Sequence, residues 1–358
     1  MRRPSGSRAA RVTRCQFSVP AVARVLVFLT YAALVGAVQA QEQSANSISR
    51  EVKEIFTRSA KAVVKIRGND KHGKLSGTGF FIDPAGTLYT AFSVGAEAED
   101  FTVELDGKEI PARQVMADRR SGLAILKVDD VLTPALPIGR SRELEVATPV
   151  LTVGFPLDLP QTPSFGMIAG FDRKFLGRYF STTHLRINLT TQRGEAGAPL
   201  LNFKGEVVGI LVSSVDNGAA CYALPIDAAE KIHGDFVRFG EARHGWIGIN
   251  VAQAPAAVEG SRAQFTEIMP GTPAADSGAK PGDILLKVGG TDVREPEDVI
   301  DASFFITAGD TVPITVLRGE EKLTFNVEAG FHPAAQRLPV IASPLSPQAM
   351  PLGLDRTP

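Results

Sequence analysis

From Ala62 to about Ile226 the chain alternates short apolar runs with glycine, proline or Asp-Gly breaks. The runs are Ala62–Ile66, Gly79–Ile82, Leu88–Phe92, Phe101–Leu105, Leu123–Val128, Val150–Val153, Leu185–Leu189 and Val207–Val212. Each is too short for a helix, and the punctuation between them is turn-like. The pattern predicts many short strands in a barrel or sandwich, not βαβ units. Asp106-Gly107 and Lys204-Gly205 stand where hairpin turns belong. Helical spacing occurs in three places. Glu51 to Ala62 sets Val52, Ile55, Phe56 and Ala60 on one side, Asp227 to Gly245 is a polar connector with helix-forming residues, and Pro296 to Ile306 follows acids at Glu295, Glu297 and Asp298. Two closing strands, Val312–Arg318 and Leu323–Val327, flank a turn at Gly319-Glu320-Glu321. The fold class is mainly β.

The two ends read differently. Arg2, Arg3, Arg8, Arg11, Arg14 and Arg24 precede an apolar run from Val25 to Val38, and Val38-Gln39-Ala40 supplies small residues at a cleavage position. Residues 1–40 therefore read as a signal peptide for export, with cleavage after Ala40 and an uncleaved membrane anchor as the alternative. Beyond this segment the chain has 32 basic against 39 acidic residues, about −7. That balance points away from nucleic acid and anionic membrane as partners. Residues 41–61 form an N-terminal segment. Residues 331–358 hold six prolines and read as a disordered tail. Beyond the signal segment Cys221 is the lone cysteine. It lies in the strand-like run Cys221–Ile226 and is expected to pack as a core residue.

Three segments carry a specific resemblance. Gly77–Ser93 reads G-T-G-F-F-I-D-P-A-G-T-L-Y-T-A-F-S, Asp118–Val128 reads D-R-R-S-G-L-A-I-L-K-V, and Arg193–Asn202 reads R-G-E-A-G-A-P-L-L-N. In order, these resemble the histidine, aspartate and serine segments of the HtrA (Deg) family of trypsin-like serine proteases. The resemblance implies a trypsin-like double β-barrel over residues 62–235. At the three catalytic positions it places Ser93 for the histidine, Gly122 for the aspartate and Ala196 for the nucleophilic serine. Asp118 matches an acid of the family pattern that lies outside the triad.

Serine-protease chemistry needs a hydroxyl to attack, an imidazole to move the proton and a carboxylate to orient that imidazole. Ala196 has no hydroxyl, Ser93 is far too weak a base, and Gly122 has no side chain. No catalytic residue is therefore expected. His72, His184, His233, His244 and His332 fall in segments unsuited to replace the base and are expected as surface or hydrogen-bonded histidines. Glu195 is expected as a solvated loop residue. By resemblance, the backbone N–H groups of Gly194 and Ala196 would form an oxyanion hole, although Ala198 replaces a family glycine in that loop.

After a linker, residues 236–245, a second unit spans 246–330. Its run Ser277–Val288, S-G-A-K-P-G-D-I-L-L-K-V, preceded by Pro273-Ala274-Ala275, resembles the signature of PDZ domains. Such domains bind extended peptide C-termini by strand addition. The resemblance implies a carboxylate-binding loop at Trp246, Ile247, Gly248 and Ile249, with Val299 and Ser303 beside the side-chain pocket. Neither metal-ligand spacing nor a phosphate loop is found, so no cofactor is expected. The sequence thus predicts an exported HtrA-like pseudoprotease of the bacterial periplasm. It would bind peptide C-termini or unfolded polypeptide as a scaffold, chaperone-like holder or regulator of an active protease relative, with a homotrimer as a further implication of the family. The alternatives are an active serine endopeptidase of envelope protein quality control and an inert structural subunit.

Overall fold

The structure, a computed structural model, describes residues 47–331 apart from 71–72, 97, 99, 176–177 and 216–219. The export segment, His72, His332 and the proline-rich tail lie outside the described residues. Residues 47–59 are helical (α1), overlapping the span predicted from Glu51 to Ala62 but beginning four residues before it, and Ala60–Ala62 is a 3-10 turn.

Two closed six-stranded antiparallel barrels follow. The first contains β1 (Val63–Asp70), β2 (Gly73–Phe81), β3 (Thr87–Ala91), β4 (Phe101–Leu105), β5 (Lys108–Asp118) and β6 (Leu123–Lys127), ordered β1-β2-β3-β6-β5-β4. A short helix, α2 (Phe92–Gly95), leaves the end of β3. Phe92 therefore opens a helix and does not continue the strand. Asp106 and Gly107, both left-handed, close the β4–β5 hairpin between the paired Leu105 and Lys108. That is the conformation a two-residue Asp-Gly turn requires.

The second barrel contains β7 (Pro149–Gly154), β8 (Thr162–Phe175), β9 (Arg178–Ile187), β10 (Pro199–Leu201), β11 (Val207–Val215) and β12 (Ala220–Pro225), ordered β10-β11-β12-β9-β8-β7. Each interior is filled by apolar side chains from alternate strand positions: Val64, Ile66, Phe81, Leu88, Val103 and Leu126 in the first, Val150, Ile168, Leu185, Leu200 and Val208 in the second. Helix α3 (Ile226–Phe239) buries Ile226, Ala228, Ala229 and Ile232 and ends at the left-handed Gly240.

The C-terminal domain is a sheet ordered β14-β15-β16-β18-β19: β14 (Ile249–Val258), β15 (Ser261–Ile268), β16 (Ile284–Val288), β18 (Thr311–Arg318) and β19 (Glu321–Glu328). The short β17 (Thr291–Asp292) pairs β16, and β13 (Gly245–Trp246) pairs β20 (Gly330–Phe331). Helices α4 (Pro273–Asp276) and α5 (Asp298–Phe304) complete it. The Gly-Asp of its signature run has a structural reason. Asp283 is buried, accepts the Lys280 N–H at 2.9 Å, and takes two bonds of 2.8 Å from the Arg318 guanidinium.

This domain is joined to the barrels by polar contacts. Asp301 of α5 accepts bonds from Arg173 (3.0 Å), Thr182 (2.8 Å), and the N–H and hydroxyl of Thr183. Arg173 also pairs with Asp298 at 2.7 Å. Buried Asp235 of α3 binds Lys231 (2.7 Å), the Arg243 N–H (3.0 Å) and the Thr307 hydroxyl (2.8 Å).

Candidate functional site

The three predicted triad positions sit where the barrels meet. Ser93 is exposed on α2, while Gly122 and Ala196 are half-buried in loops. Backbone bonds tie these segments together. Phe92 N–H donates to the Gly122 carbonyl at 2.6 Å, and Thr78 N–H donates to the Ala196 carbonyl at 2.9 Å. The surroundings of Gly122 and Ala196 are apolar. Ala196 and Val212 both pack on the core cluster that contains Ala91 and Val94. A Cβ added to Gly122 would meet the Val212 side chain at 3.6 Å. Sequence reading missed Val212, because its role appears only once β11 is laid beside the β5–β6 turn.

The loop before Ala196 is tightly specified. Gly194 has φ +99, and a Cβ there would overlap the Phe155 carbonyl oxygen. Only glycine tolerates both conditions. The Arg193 carbonyl accepts the Leu157 N–H at 2.7 Å. In a trans peptide the C=O and N–H point oppositely, so the Gly194 N–H faces away from Leu157. Leu157 and the following Asp158 are left-handed at φ 53 and 62, a costly conformation for non-glycine residues. Lys65 holds the Asp158 carboxylate at 2.9 Å and its carbonyl at 3.1 Å. Thr78 completes the loop, its hydroxyl donating to the Gly194 carbonyl at 2.7 Å and accepting the Phe155 N–H at 3.2 Å.

Glu195 is not the solvated loop residue expected. It is 2% exposed, and its carboxylate accepts the Gln192 N–H at 2.6 Å. Burial pushes its carboxyl above the usual range, and the single backbone bond offsets this only in part. The loop closes into a tight turn, Glu195 N–H to Gln192 carbonyl, and this turns the side chain inward. Cys221 is buried nearby, and burial raises its thiol to about 12. That is the inert core cysteine expected.

The described histidines are all hydrogen-bonded. His184 Nδ1 lies 2.9 Å from the Thr182 carbonyl, and its ring stacks on Phe180. His233 Nδ1 lies 2.7 Å from the Tyr89 hydroxyl. His244 is buried, with Nε2 at 3.0 Å from Asp118. Burial alone would raise the Asp118 carboxyl, but bonds from His244 and Ser121 outweigh it and bring it to about 2. This pair lies at the junction with the C-terminal domain, beside the Phe304 ring.

The C-terminal domain presents an open strand edge. β14 is an edge strand, with β15 as its one sheet neighbour. Gly248 precedes it at φ +79, with its α-carbon against Thr272. The Ile247 carbonyl accepts from Ala274 at 2.9 Å and the Gly248 carbonyl from Met269 at 3.2 Å, which fixes the orientation of this loop. Ile247 is 3% exposed and belongs to the domain core, while Ile249 and Val299 pack partly buried against the same cluster. Trp246 and Ser303 are half-buried.

Comparison with known proteins agrees with this architecture. The trypsin-like peptidase domain family matches residues 77–210, and the PDZ domain family matches residues 245–329. The "Probable periplasmic serine endoprotease DegP-like" of Rhizobium meliloti (strain 1021) is 30% identical over 294 residues, covering 77% of this chain and 58% of that protein. The "Serine endoprotease DegS" of Escherichia coli (strain K12) is 29% identical, covering 77% of this chain and 85% of that protein. The chain spans about 56% to 62% of the length of the DegP-like relatives it matches. Among solved structures, the HtrA-type protease AlgW with tripeptide superposes with a TM-score of 0.68 over 79% of this chain and 97% of its own, at 24% identity, a likeness of fold. The serine endoprotease from Yersinia pestis gives 0.59 over 78% and 98%, at 26% identity. With a trypsin-like double barrel followed by a PDZ domain, and with these relatives, the chain belongs to the HtrA family.

Proposed function

We propose that this chain is a non-hydrolysing HtrA-family protein that binds peptide C-termini through its PDZ domain. The observation that carries the reading is the composition of the inter-barrel site. Ser93, Gly122 and Ala196 occupy the positions of base, orienting acid and nucleophile, and Val212 lines the space beside Gly122. Among the described residues no imidazole accompanies them, because His184, His233 and His244 are bonded to other groups. The second reading, a serine endopeptidase, is supported by the names of the relatives. It requires a nucleophile and base at other positions.

Peptide binding is supported by the edge strand β14, the glycine loop before it and the apolar cluster beneath Ile249 and Val299. Strand addition satisfies the peptide backbone, and the loop N–H groups favour its carboxylate. Export is supported by residues 1–40 and by relatives named as periplasmic. No helix among the described residues is long and apolar enough to cross a membrane.

Digestion of unfolded casein tests the central point. The full chain should leave casein intact, and Ala196→Ser alone should not restore cleavage, since base and orienting acid are still lacking. Casein cleavage by the purified full chain, lost when a serine elsewhere is replaced, would favour the endopeptidase. For the groove, free-acid peptides with an apolar last residue should bind the full chain with micromolar affinity, about −8 kcal/mol. Equal binding of C-terminally amidated peptides would remove the carboxylate loop from the account.

A further inference from the structure

The open edge of β14 is bridged at one point. The Gln253 side chain donates from Nε2 to Glu295 Oε2 at 3.3 Å, linking the strand to the segment that leads into α5. Gln253 is exposed and Glu295 half-buried. Among the described residues Glu295 has no ion-pair partner, so the group opposite it is a neutral amide. Arg294 adjoins Glu295 in sequence and takes the Arg262 N–H on its carbonyl at 2.7 Å, and among the described residues neither arginine forms an ion pair with Glu295. Asp298 is already committed to Arg173 and to the N–H groups of Arg294 and Glu295.

A peptide held by its carboxylate at the Ile247–Ile249 loop runs antiparallel to β14, because its end lies at the strand's beginning. Its last residue then stands opposite Ile249 and its fifth-from-last opposite Gln253, about 13 Å away at about 3.3 Å per residue. Side chains alternate along a strand, so the last, third-from-last and fifth-from-last residues share one face. On β14 the matching positions are Ile249, Val251 and Gln253. The first two pack on the apolar cluster, and the third bonds Glu295.

We propose, building on the peptide-binding reading above, that Glu295 is a specificity-determining residue of the groove. It selects peptides with lysine or arginine at the fifth position from a C-terminal apolar residue. The incoming cation replaces the Gln253 amide on the Glu295 carboxylate, exchanging an amide-to-carboxylate bond for an ion pair. A glutamate at that position meets a like charge.

The test titrates the full chain with fluorescent, N-acetylated seven-residue free-acid peptides. These share an apolar last residue and carry lysine, alanine or glutamate fifth from the end. Lysine should bind about 3- to 5-fold tighter than alanine, and glutamate weaker than alanine, with the spread shrinking at high salt. Glu295→Lys should reverse the order, and Glu295→Gln should abolish it. Thermal melts of both variants, matched to the parent chain, exclude misfolding. Equal affinities across the three peptides would overturn the role of Glu295 while leaving peptide binding intact. Absence of binding by every free-acid peptide would overturn both.

Discussion

Gly122 adopts φ +82, in the left-handed region that an L side chain enters at a cost of about 1–2 kcal/mol. It also faces Val212 and not a polar partner. An aspartate placed there would set a carboxylate against an apolar wall and strain the local backbone. Gly122→Asp should therefore lower stability by about 1–2 kcal/mol in urea unfolding. An unchanged midpoint would show that the loop relaxes. Glu195 gives a prediction of opposite sign. Its carboxyl is raised in the folded chain, so the fold is penalised as pH climbs above the unfolded carboxylate value. Glu195→Gln should raise the unfolding midpoint at neutral pH, and this gain should vanish at about pH 3.5, where both states are protonated. A loss of stability at neutral pH would mean that the bond to Gln192 outweighs the buried charge. The identity of Glu195 gave no hint of its burial. The turn from Gln192 to Glu195 decides that, and a charged residue in a glycine-rich loop reads as solvated.

Among the elements, the strands with clean apolar runs were legible and the others were not. β3, β4, β6 and β11 follow from their runs, and the Asp106-Gly107 hairpin from its turn residues. β8 escaped notice although it is 14 residues long. Phe165, Met167 and Phe171 on it are exposed, and Pro163 lies in the same strand, so its apolar positions do not mark the inner face. β14 and β15 were missed because small and polar residues dominate them. The turn before β14, proposed to bind the carboxylate, was legible through Gly248, whose φ and contact with Thr272 admit no larger residue. Gly248→Val should weaken free-acid peptide binding at least about 10-fold in anisotropy titrations of the full chain, with far-UV circular dichroism retained. Unchanged affinity would place the ligand elsewhere. The Asp118–His244 pair joins the β5–β6 turn to the start of the PDZ domain. The folded Asp118 carboxyl is depressed to about 2, so its contribution, about 2 kcal/mol, is present above about pH 4 and lost as pH falls toward 2. Asp118→Asn should lower stability at neutral pH and flatten this acid limb of the urea midpoint. A parallel limb in the variant would assign the acid loss to other carboxylates.

Among the described residues the order of parts was readable: a β-rich double barrel, a helix and a PDZ domain. The way they are joined was not. Arg173, Thr182 and Thr183 lie far from Asp301 in the chain, and His244 is far from Asp118. Periodicity carries no information about such pairs, because they form only when three folded units meet. These joints hold α5, one wall of the proposed groove, against the β8–β9 hairpin, so the proposed groove is fixed to the barrel scaffold. The account's central claim is that the inter-barrel site carries no activated nucleophile. Labelling of the purified full chain with a fluorophosphonate probe, read by intact mass, tests this most directly. The account predicts no adduct at neutral pH under conditions that label a working serine protease completely. A stoichiometric adduct mapped to a single serine would contradict it.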